Sequence, residues 1–207
     1  MHAGILITLE GGEGAGKSTL AKKLSEFLMK EKNLFVVTSR EPGGTELGKR
    51  IRSILLEKEM AFLTPRSEFL LFQADRAEHV ETLILPALEQ DMIVIVDRFT
   101  DSSLVYQALA LGISSTDEYE RVCDFATGGL VPNLTLYLDL DPEIGLARLS
   151  GPKDRIESHH LDFHKQVRAG FQELQKRHPH RIKQIDANCD PDSVFEEAKK
   201  WVLQVLA

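Results

Sequence analysis

The stretch Gly11-Gly12-Glu13-Gly14-Ala15-Gly16-Lys17-Ser18 constrains this chain more than any other, because it satisfies G-x-x-x-x-G-K-[ST], the pattern of a phosphate-binding P-loop. Such a loop belongs between a buried strand and the N-terminus of a helix. Both neighbours are present. Ile5-Leu6-Ile7-Thr8-Leu9 is a short apolar, β-branched run that predicts a buried strand, and Leu20, Leu24, Phe27 and Leu28 recur downstream at helical spacing. A plain glycine-rich turn would need neither the lysine nor the hydroxyl. The glycines let several backbone amides aim at one phosphate, and the following helix adds its positive dipole end. Lys17 supplies a full charge for the phosphate chain, and Ser18 is placed to enter the coordination shell of a bridging Mg2+.

The rest of the chain repeats the strand-then-helix theme. Leu34 to Thr38 predicts a second strand, followed by a loop from Ser39 through Arg40-Glu41-Pro42-Gly43-Gly44 to Thr45, at the edge where a parallel sheet binds ligands. A helix is expected around Leu47 to Leu56. Thr64-Pro65 gives an N-cap and first-turn proline to a long helix holding Phe69, Phe72, Arg76, Leu83 and Leu88. Met92 to Val96 is the most apolar strand, and it ends in Asp97-Arg98-Phe99. Charges at the end of a buried central strand predict a Walker B-like Asp97 acting on magnesium; a surface ion pair is the plainer reading. Helical patterns follow through Ser102 to Leu111 and from Ser115, where Glu118 completes a capping box. A strand over Leu134 to Leu140, a helix opened by Asp141-Pro142 and ending near Leu149, a helix over Phe163 to Arg177 and a strand over Arg181 to Asp186 come next. Ser193 and Glu196 predict a capping box for a closing helix through Trp201. Five strands alternating with helices define an α/β fold of the P-loop NTPase kind: a doubly wound parallel sheet with helices on both faces. One domain is expected over residues 1–207.

Composition narrows the partners. The net charge of −7 disfavours broad binding to nucleic acid or anionic membrane. No run approaches the roughly 18 apolar residues of a membrane span, and Met1-His2-Ala3 leads into the first strand without a secretory signal. The two cysteines, Cys123 and Cys189, lie far apart without metal-ligand spacing, which points to a reducing cytoplasm, with Cys123 as packing.

A P-loop alone leaves small-molecule kinases, GTPase switches and motor or transport ATPases open. The chain lacks the guanine-reading N-K-x-D of a GTPase and has little room for the partner-binding domain of a motor. Its motifs together resemble the thymidylate kinase family of bacteria. The resemblance covers nearly the whole chain and is carried by Leu9 to Ser18, Arg40 to Thr45, Phe72-Gln73-Ala74-Asp75-Arg76, Asp97-Arg98-Phe99, Asp154-Arg155-Ile156-Glu157 and Ile185-Asp186-Ala187. Each motif is weak alone, whereas their order and spacing are specific.

The resemblance implies transfer of the γ-phosphate of ATP to dTMP, with Mg2+, in a cytoplasmic homodimer. It implies ATP contacts from Gly11 through Thr19, including Gly12, Glu13, Gly14, Ala15, Gly16, Lys17 and Ser18, and adenine contacts near Ala187 and Asn188. Phe72 would stack on thymine and Arg76 would bond a thymine carbonyl. One helical turn separates them, so both can meet one base, although without the resemblance such a pair is more commonly a core ring and a solvated charge. Arg98 would clamp the dTMP phosphate, with Arg40 in the same substrate set and Asp97 acting on the metal through water. Glu13 would approach the sugar 3′-hydroxyl, while Ser103, Tyr106 and Gln107 line the nucleoside pocket, Tyr106 crowding out a ribose 2′-hydroxyl. Some relatives carry a P-loop arginine that supports the transition state, but this chain has Gly14. The charge is then expected from a lid at about 150–157 and its approach: Arg155 first, Arg148 second, with Lys153 a solvated charge. A kinase of another nucleoside or monophosphate, and a non-catalytic nucleotide switch, are the competing readings. Apolar faces around Phe69 to Leu88 and Leu104 to Leu111 are candidates for the dimer contact, but similar stripes also cover a sheet.

Overall fold

The computed structural model describes residues 4–57, 63–110 and 116–207. Its elements, in chain order, are β1 (Ile5–Glu10), α1 (Lys17–Glu31), β2 (Val36–Arg40), α2 (Glu46–Leu56), α3 (Pro65–His79), a π turn (Val80–Ile84), α4 (Leu85–Leu88) and β3 (Ile93–Asp97). They continue with α5 (Thr100–Ser103), a second π turn (Leu104–Ala110), α6 (Thr116–Thr127), β4 (Leu134–Asp139), α7 (Pro142–Arg148), α8 (Leu161–Arg177), β5 (Ile182–Asp186) and α9 (Pro191–Leu206). The strands form one sheet in the order β2-β3-β1-β4-β5, and every pairing is parallel.

Strand alternation divides the core between two faces. Ile7, Leu9, Ile93 and Ile95 turn to one side, where they meet Leu20, Leu24 and Leu28 of α1 and Ala198 and Val202 of α9. Leu6, Val94 and Val96 turn to the other and meet Val80, Ile84 and Leu88. Both faces of the central strands are therefore apolar, as the unbroken hydrophobic run 93–96 demands. Farther along, Tyr137 and Ile182 pack with Val167, Phe171 and Leu174 of α8. The long helix after Thr64 is continuous but changes pitch at Val80–Ile84, just ahead of Pro86. That position suits a π turn, because the proline ring would clash with the Thr82 carbonyl of a regular helix and can donate no bond to it.

β1 has β3 on one side and β4 on the other, so the chain winds away from it in both directions. The crevice that this opens beyond the C-terminal end of β1 is where open α/β sheets bind ligands, and the P-loop occupies it.

Several boundaries differ from the sequence reading. β2 starts later and extends through Arg40, because Ser39 and Arg40 pair in register with Val96 and Asp97, while Phe35 stays exposed. The closing helix is capped by Asp190, not by a Ser193 box: the Asp190 carboxylate accepts from the amides of Asp192 and Ser193, and Pro191 holds the first helical position. Thr64 and Asp141 cap their helices as expected. Leu111 and the Ser115 cap lie outside the described residues. Cys123 is buried beside the stacked rings of Phe69 and Tyr119, and Cys189 is exposed.

Candidate active site

The P-loop and the segment after β3 close on one another across the end of the sheet. Gly16 caps α1 in a left-handed conformation (φ 91°) that a side chain would disfavour. Gly14 is left-handed too, and a Cβ built there would lie 2.1 Å from the Gly145 carbonyl of α7. The absence of an arginine at position 14 is therefore enforced by packing, since α7 rests directly on the loop.

Lys17 folds back on the loop that precedes it, its Nζ donating to the carbonyls of Gly11 (3.1 Å) and Gly12 (2.8 Å). Burial lowers its pKa, and so does Arg98 nearby, while Asp97 and Glu13 oppose the shift. Ser18 Oγ donates to Asp97 Oδ2 at 2.7 Å, bringing together the hydroxyl and carboxylate expected to serve a magnesium ion.

Arg98 has φ 72°, an uncommon conformation for a branched-free but bulky residue, and its guanidinium donates three hydrogen bonds. Nη2 donates to Glu13 Oε1 at 2.7 Å, and Nη1 donates to Gly11 O (3.1 Å) and Ser102 Oγ (3.2 Å). Tyr106 lies beneath it, 4.9 Å from ring centre to guanidinium, and gives its own hydroxyl to Glu13 at 2.9 Å. Burial alone would push the Glu13 carboxyl up; Arg98, Lys17 and the Tyr106 hydroxyl outweigh it and hold the pKa at about 2. Arg98 is driven upward by the same acid against its own burial, so the pair stays ionised.

Arg76 is 1% exposed and is fixed by four partners. Nε donates to Glu41 Oε2 (2.8 Å), Nη1 to Gln73 Oε1 (2.9 Å), and Nη2 to Phe99 O and Ser103 Oγ (both 3.0 Å). Glu41 in turn is bonded to His79 Nδ1, and His79 Nε2 to Ser39. The guanidinium and Phe72 line a cavity of about 100 Å3, together with Pro42, Ser103, Tyr106 and Gln107. A second cavity of about 360 Å3 runs over the P-loop from Glu13 to Thr19 and reaches Arg40, Asp97 and Arg148. Glu13, Glu41, Arg52 and Arg98 line both cavities, so the two share a wall. A larger hollow of about 570 Å3 lies between α6 and the loops entering β4 and β5, lined by acidic and basic groups together, among them Asp101, Asp117, Glu120, Arg121 and Arg181.

The lid arginines part company. Arg148 reaches the phosphate cavity while its guanidinium donates to Ala187 O at 3.3 Å, in the neighbourhood expected to meet adenine. Arg155 lines neither cavity. Its Nε donates to Leu55 O at 2.8 Å, and Nη2 stands 2.7 Å from the buried Glu68 carboxylate as an ion pair without hydrogen-bond alignment. The expectation that Arg155 faces the phosphates is thus not met by this geometry: α3 offers it a buried acid. Gln107 is drawn into the same cluster, donating to Glu68 at 3.2 Å. Three participants escaped the sequence reading. Arg52 of α2 donates to Pro42 O at 2.9 Å from the shared wall, Glu41 orients Arg76, and Ser102 orients Arg98. Arg52 carried a faint signal, being a cation beside the buried Ile51 on the helix that follows the ligand-edge loop.

A parallel sheet with a P-loop at its switch point, joined to a second cavity through an arginine and a carboxylate, defines a P-loop kinase that acts on a small phosphorylated acceptor. Comparison with known proteins narrows the class. The family model described as Thymidylate kinase matches residues 9–198. The thymidylate kinase of Clostridium novyi (strain NT) is 44% identical over 98% of this chain and 100% of its own length, and that of Synechococcus sp. (strain JA-3-3Ab) is 50% identical over 95% and 93%. A crystal structure of thymidylate kinase from Ehrlichia chaffeensis superposes with a TM-score of 0.80 at 32% identity, covering 96% of this chain and 98% of that one. The chain belongs to the thymidylate kinase family, and is a nucleoside monophosphate kinase of bacterial type.

Proposed function

We propose that this chain transfers the γ-phosphate of ATP to dTMP, giving dTDP and ADP, with the acceptor in the Phe72/Arg76 cavity and the triphosphate over residues 11–19. The shared wall carries the proposal: Arg98 and Glu13 border both cavities, so an acceptor phosphate held by Arg98 meets a γ-phosphate held by the P-loop without either leaving its site. Positioning of this kind is the main demand of phosphoryl transfer.

In this reading Lys17 exchanges the Gly11 and Gly12 carbonyls for phosphate oxygens. An acceptor phosphate oxygen attacks the γ-phosphorus as the bond to the β-phosphate oxygen breaks, and ADP leaves with that electron pair. No general base is needed, because the second pKa of a phosphomonoester is about 6. Ser18 Oγ and Asp97 Oδ2 are hard oxygen donors side by side, which suits magnesium and would hold it beside the phosphate chain. Bound there, the ion would neutralise charge on the phosphate chain. Arg148 is the lid-side cation in this arrangement, and Arg155 anchors the segment 150–157 to α3. Phe72 stacks on the base, Arg76 donates to its carbonyl, and Arg40 and Arg52 add charge at the shared wall. Ser103 and Gln107 complete the nucleoside wall, and Tyr106 with Glu13 selects a deoxyribose.

The exposed Leu70 of α3 and Phe125 of the adjoining α6 fit a homodimer contact, which sedimentation at micromolar concentration tests. Among the described residues no helix is long and apolar enough to cross a membrane, and the two free thiols fit a reducing cytoplasm. A coupled ADP-release assay with dTMP against dUMP, dCMP, dGMP and AMP tests the activity. Preference for another monophosphate would overturn the acceptor assignment, and no ADP release with any of them would revive a nucleotide switch.

A further inference from the structure

Glu10 is the last residue of β1, and its side chain is wholly buried beneath the site. A carboxylate in such a place is costly unless donors surround it. Here they come from the segment that carries Arg98. Phe99 N donates to Glu10 Oε1 at 2.8 Å, Ser102 N to the same oxygen at 3.3 Å, and Ser102 Oγ to Oε2 at 2.5 Å. α5 has no cap of its own, since Phe99 at its N-cap position offers no side-chain acceptor; Glu10 supplies one from the neighbouring strand. Ser102 Oγ also accepts from Arg98 Nη1, so the line runs Arg98 to Ser102 to Glu10. Arg98 itself is left-handed, a conformation that persists in a bulky residue only where its surroundings over-determine it.

We infer that Glu10 is a positioning residue for the acceptor's phosphate: through Phe99 N and the Ser102 hydroxyl it holds the Arg98 backbone turn and aims the guanidinium at the wall between the two cavities. The inference rests on the proposed role of Arg98. It assigns to one buried carboxylate the register between the P-loop, which begins at the next residue, and the segment after β3. Burial, reinforced by Asp101, raises its pKa to about 7 against the opposing pull of these donors and Arg98.

The test compares ligands that differ only in the phosphate. Calorimetric affinities for dTMP and thymidine are measured on the full chain for Ser102→Ala, Glu10→Gln and Arg98→Ala. Ser102→Ala deletes the relay; Glu10→Gln keeps an acceptor for the two amides but turns an N–H2 group toward the serine. Both are expected to weaken dTMP about tenfold, the loss of a hydrogen bond to a charged group, while thymidine affinity stays within about twofold. An equal loss for both ligands, or no loss for dTMP, would overturn the inference. Should Glu10→Gln fail to fold, Ser102→Ala carries the same comparison. Arg98→Ala separates the two levels: if it leaves the dTMP-to-thymidine ratio unchanged, the acceptor-site reading itself falls. If it collapses the ratio and Ser102→Ala does not, only the positioning role falls.

Discussion

Placing alanine at three glycines of the P-loop separates backbone strain from steric exclusion. At Gly12 a Cβ would meet nothing within 4 Å and the backbone is not left-handed, so Gly12→Ala is expected to leave stability near wild type. At Gly16 nothing lies within 4 Å either, but φ is 91°, so Gly16→Ala incurs the left-handed penalty alone, about 1–2 kcal/mol. At Gly14, φ is 67° and the new Cβ would be 2.1 Å from the Gly145 carbonyl oxygen, 2.7 Å from its carbon and 2.9 Å from its Cα. These are backbone atoms that cannot rotate away, so α7 or the loop must shift by ~1 Å, an overpacking cost of about 1–3 kcal/mol added to the strain. The total of about 3 kcal/mol corresponds to a fall in Tm of about 6–12 °C for a chain of this size, against about 2–8 °C for Gly16→Ala. Scanning calorimetry without nucleotide isolates these terms from phosphate binding. If Gly14→Ala melts no lower than Gly16→Ala, the α7 contact does not constrain the loop and the reasoning fails.

Lys17→Ala and Arg98→Ala are each expected to cut turnover by several powers of ten with the circular dichroism spectrum unchanged; near-normal dTMP phosphorylation in either would refute the mechanism. Arg148→Ala is expected to lower kcat more than it raises the KM for ATP, whereas Arg155→Ala, which strips the ion pair from the buried Glu68, is expected to lower stability by about 3 kcal/mol, read by urea unfolding. The reverse pattern would return the transition-state role to Arg155. Between pH 5 and 7.5, Glu10 is expected to make unfolding easier as pH rises, because its folded pKa of about 7 stands above the ordinary 4.5 and the unfolded chain releases that proton first. The effect reaches about 3 kcal/mol at most, and a wild-type slope equal to that of Glu10→Gln would refute it. Glu13 has the opposite sign: held at about 2, its contribution is complete above pH 4.5 and is lost as the pH falls through 2.

The sheet and the phosphate cradle were legible in the sequence because each is a local signal. An apolar run bounded by turn residues marks a strand whatever its neighbours, and the P-loop states its own context. Strand ends were less legible: β2 reaches Arg40 only because Val96 and Asp97 lie opposite, which one strand's residues do not encode. The proposed base site rests on resemblance, since Phe72 and Arg76 at helical spacing read first as a core ring and a solvated charge, whereas the fold lines one cavity with both. Glu41, Arg52 and Ser102 were not legible, because each acts through a partner far away in the chain: Glu41 on Arg76, Arg52 on the Pro42 carbonyl, Ser102 between Arg98 and Glu10. Arg155 illustrates the converse. Its motif identified a lid cation correctly as a cation, but the buried acid that claims it lies on α3 and cannot be read from Asp154-Arg155-Ile156-Glu157.

The contact that excludes a side chain at position 14 also decides where positive charge can stand instead. A Cβ at Gly145 would lie 2.3 Å from the Glu13 carbonyl, so the two glycines are mutually required and α7 is seated on the P-loop at backbone distance. Arg148 is three residues beyond Gly145, on the same face of that helix, and so the face that meets the loop also presents the arginine to the phosphate cavity. An arginine at position 14 and an arginine carried by α7 at this distance are therefore alternatives: the first needs the volume that the second uses to approach. This chain has taken the second, so in the proposed mechanism the cation facing the P-loop cavity moves with α7, not with the loop itself.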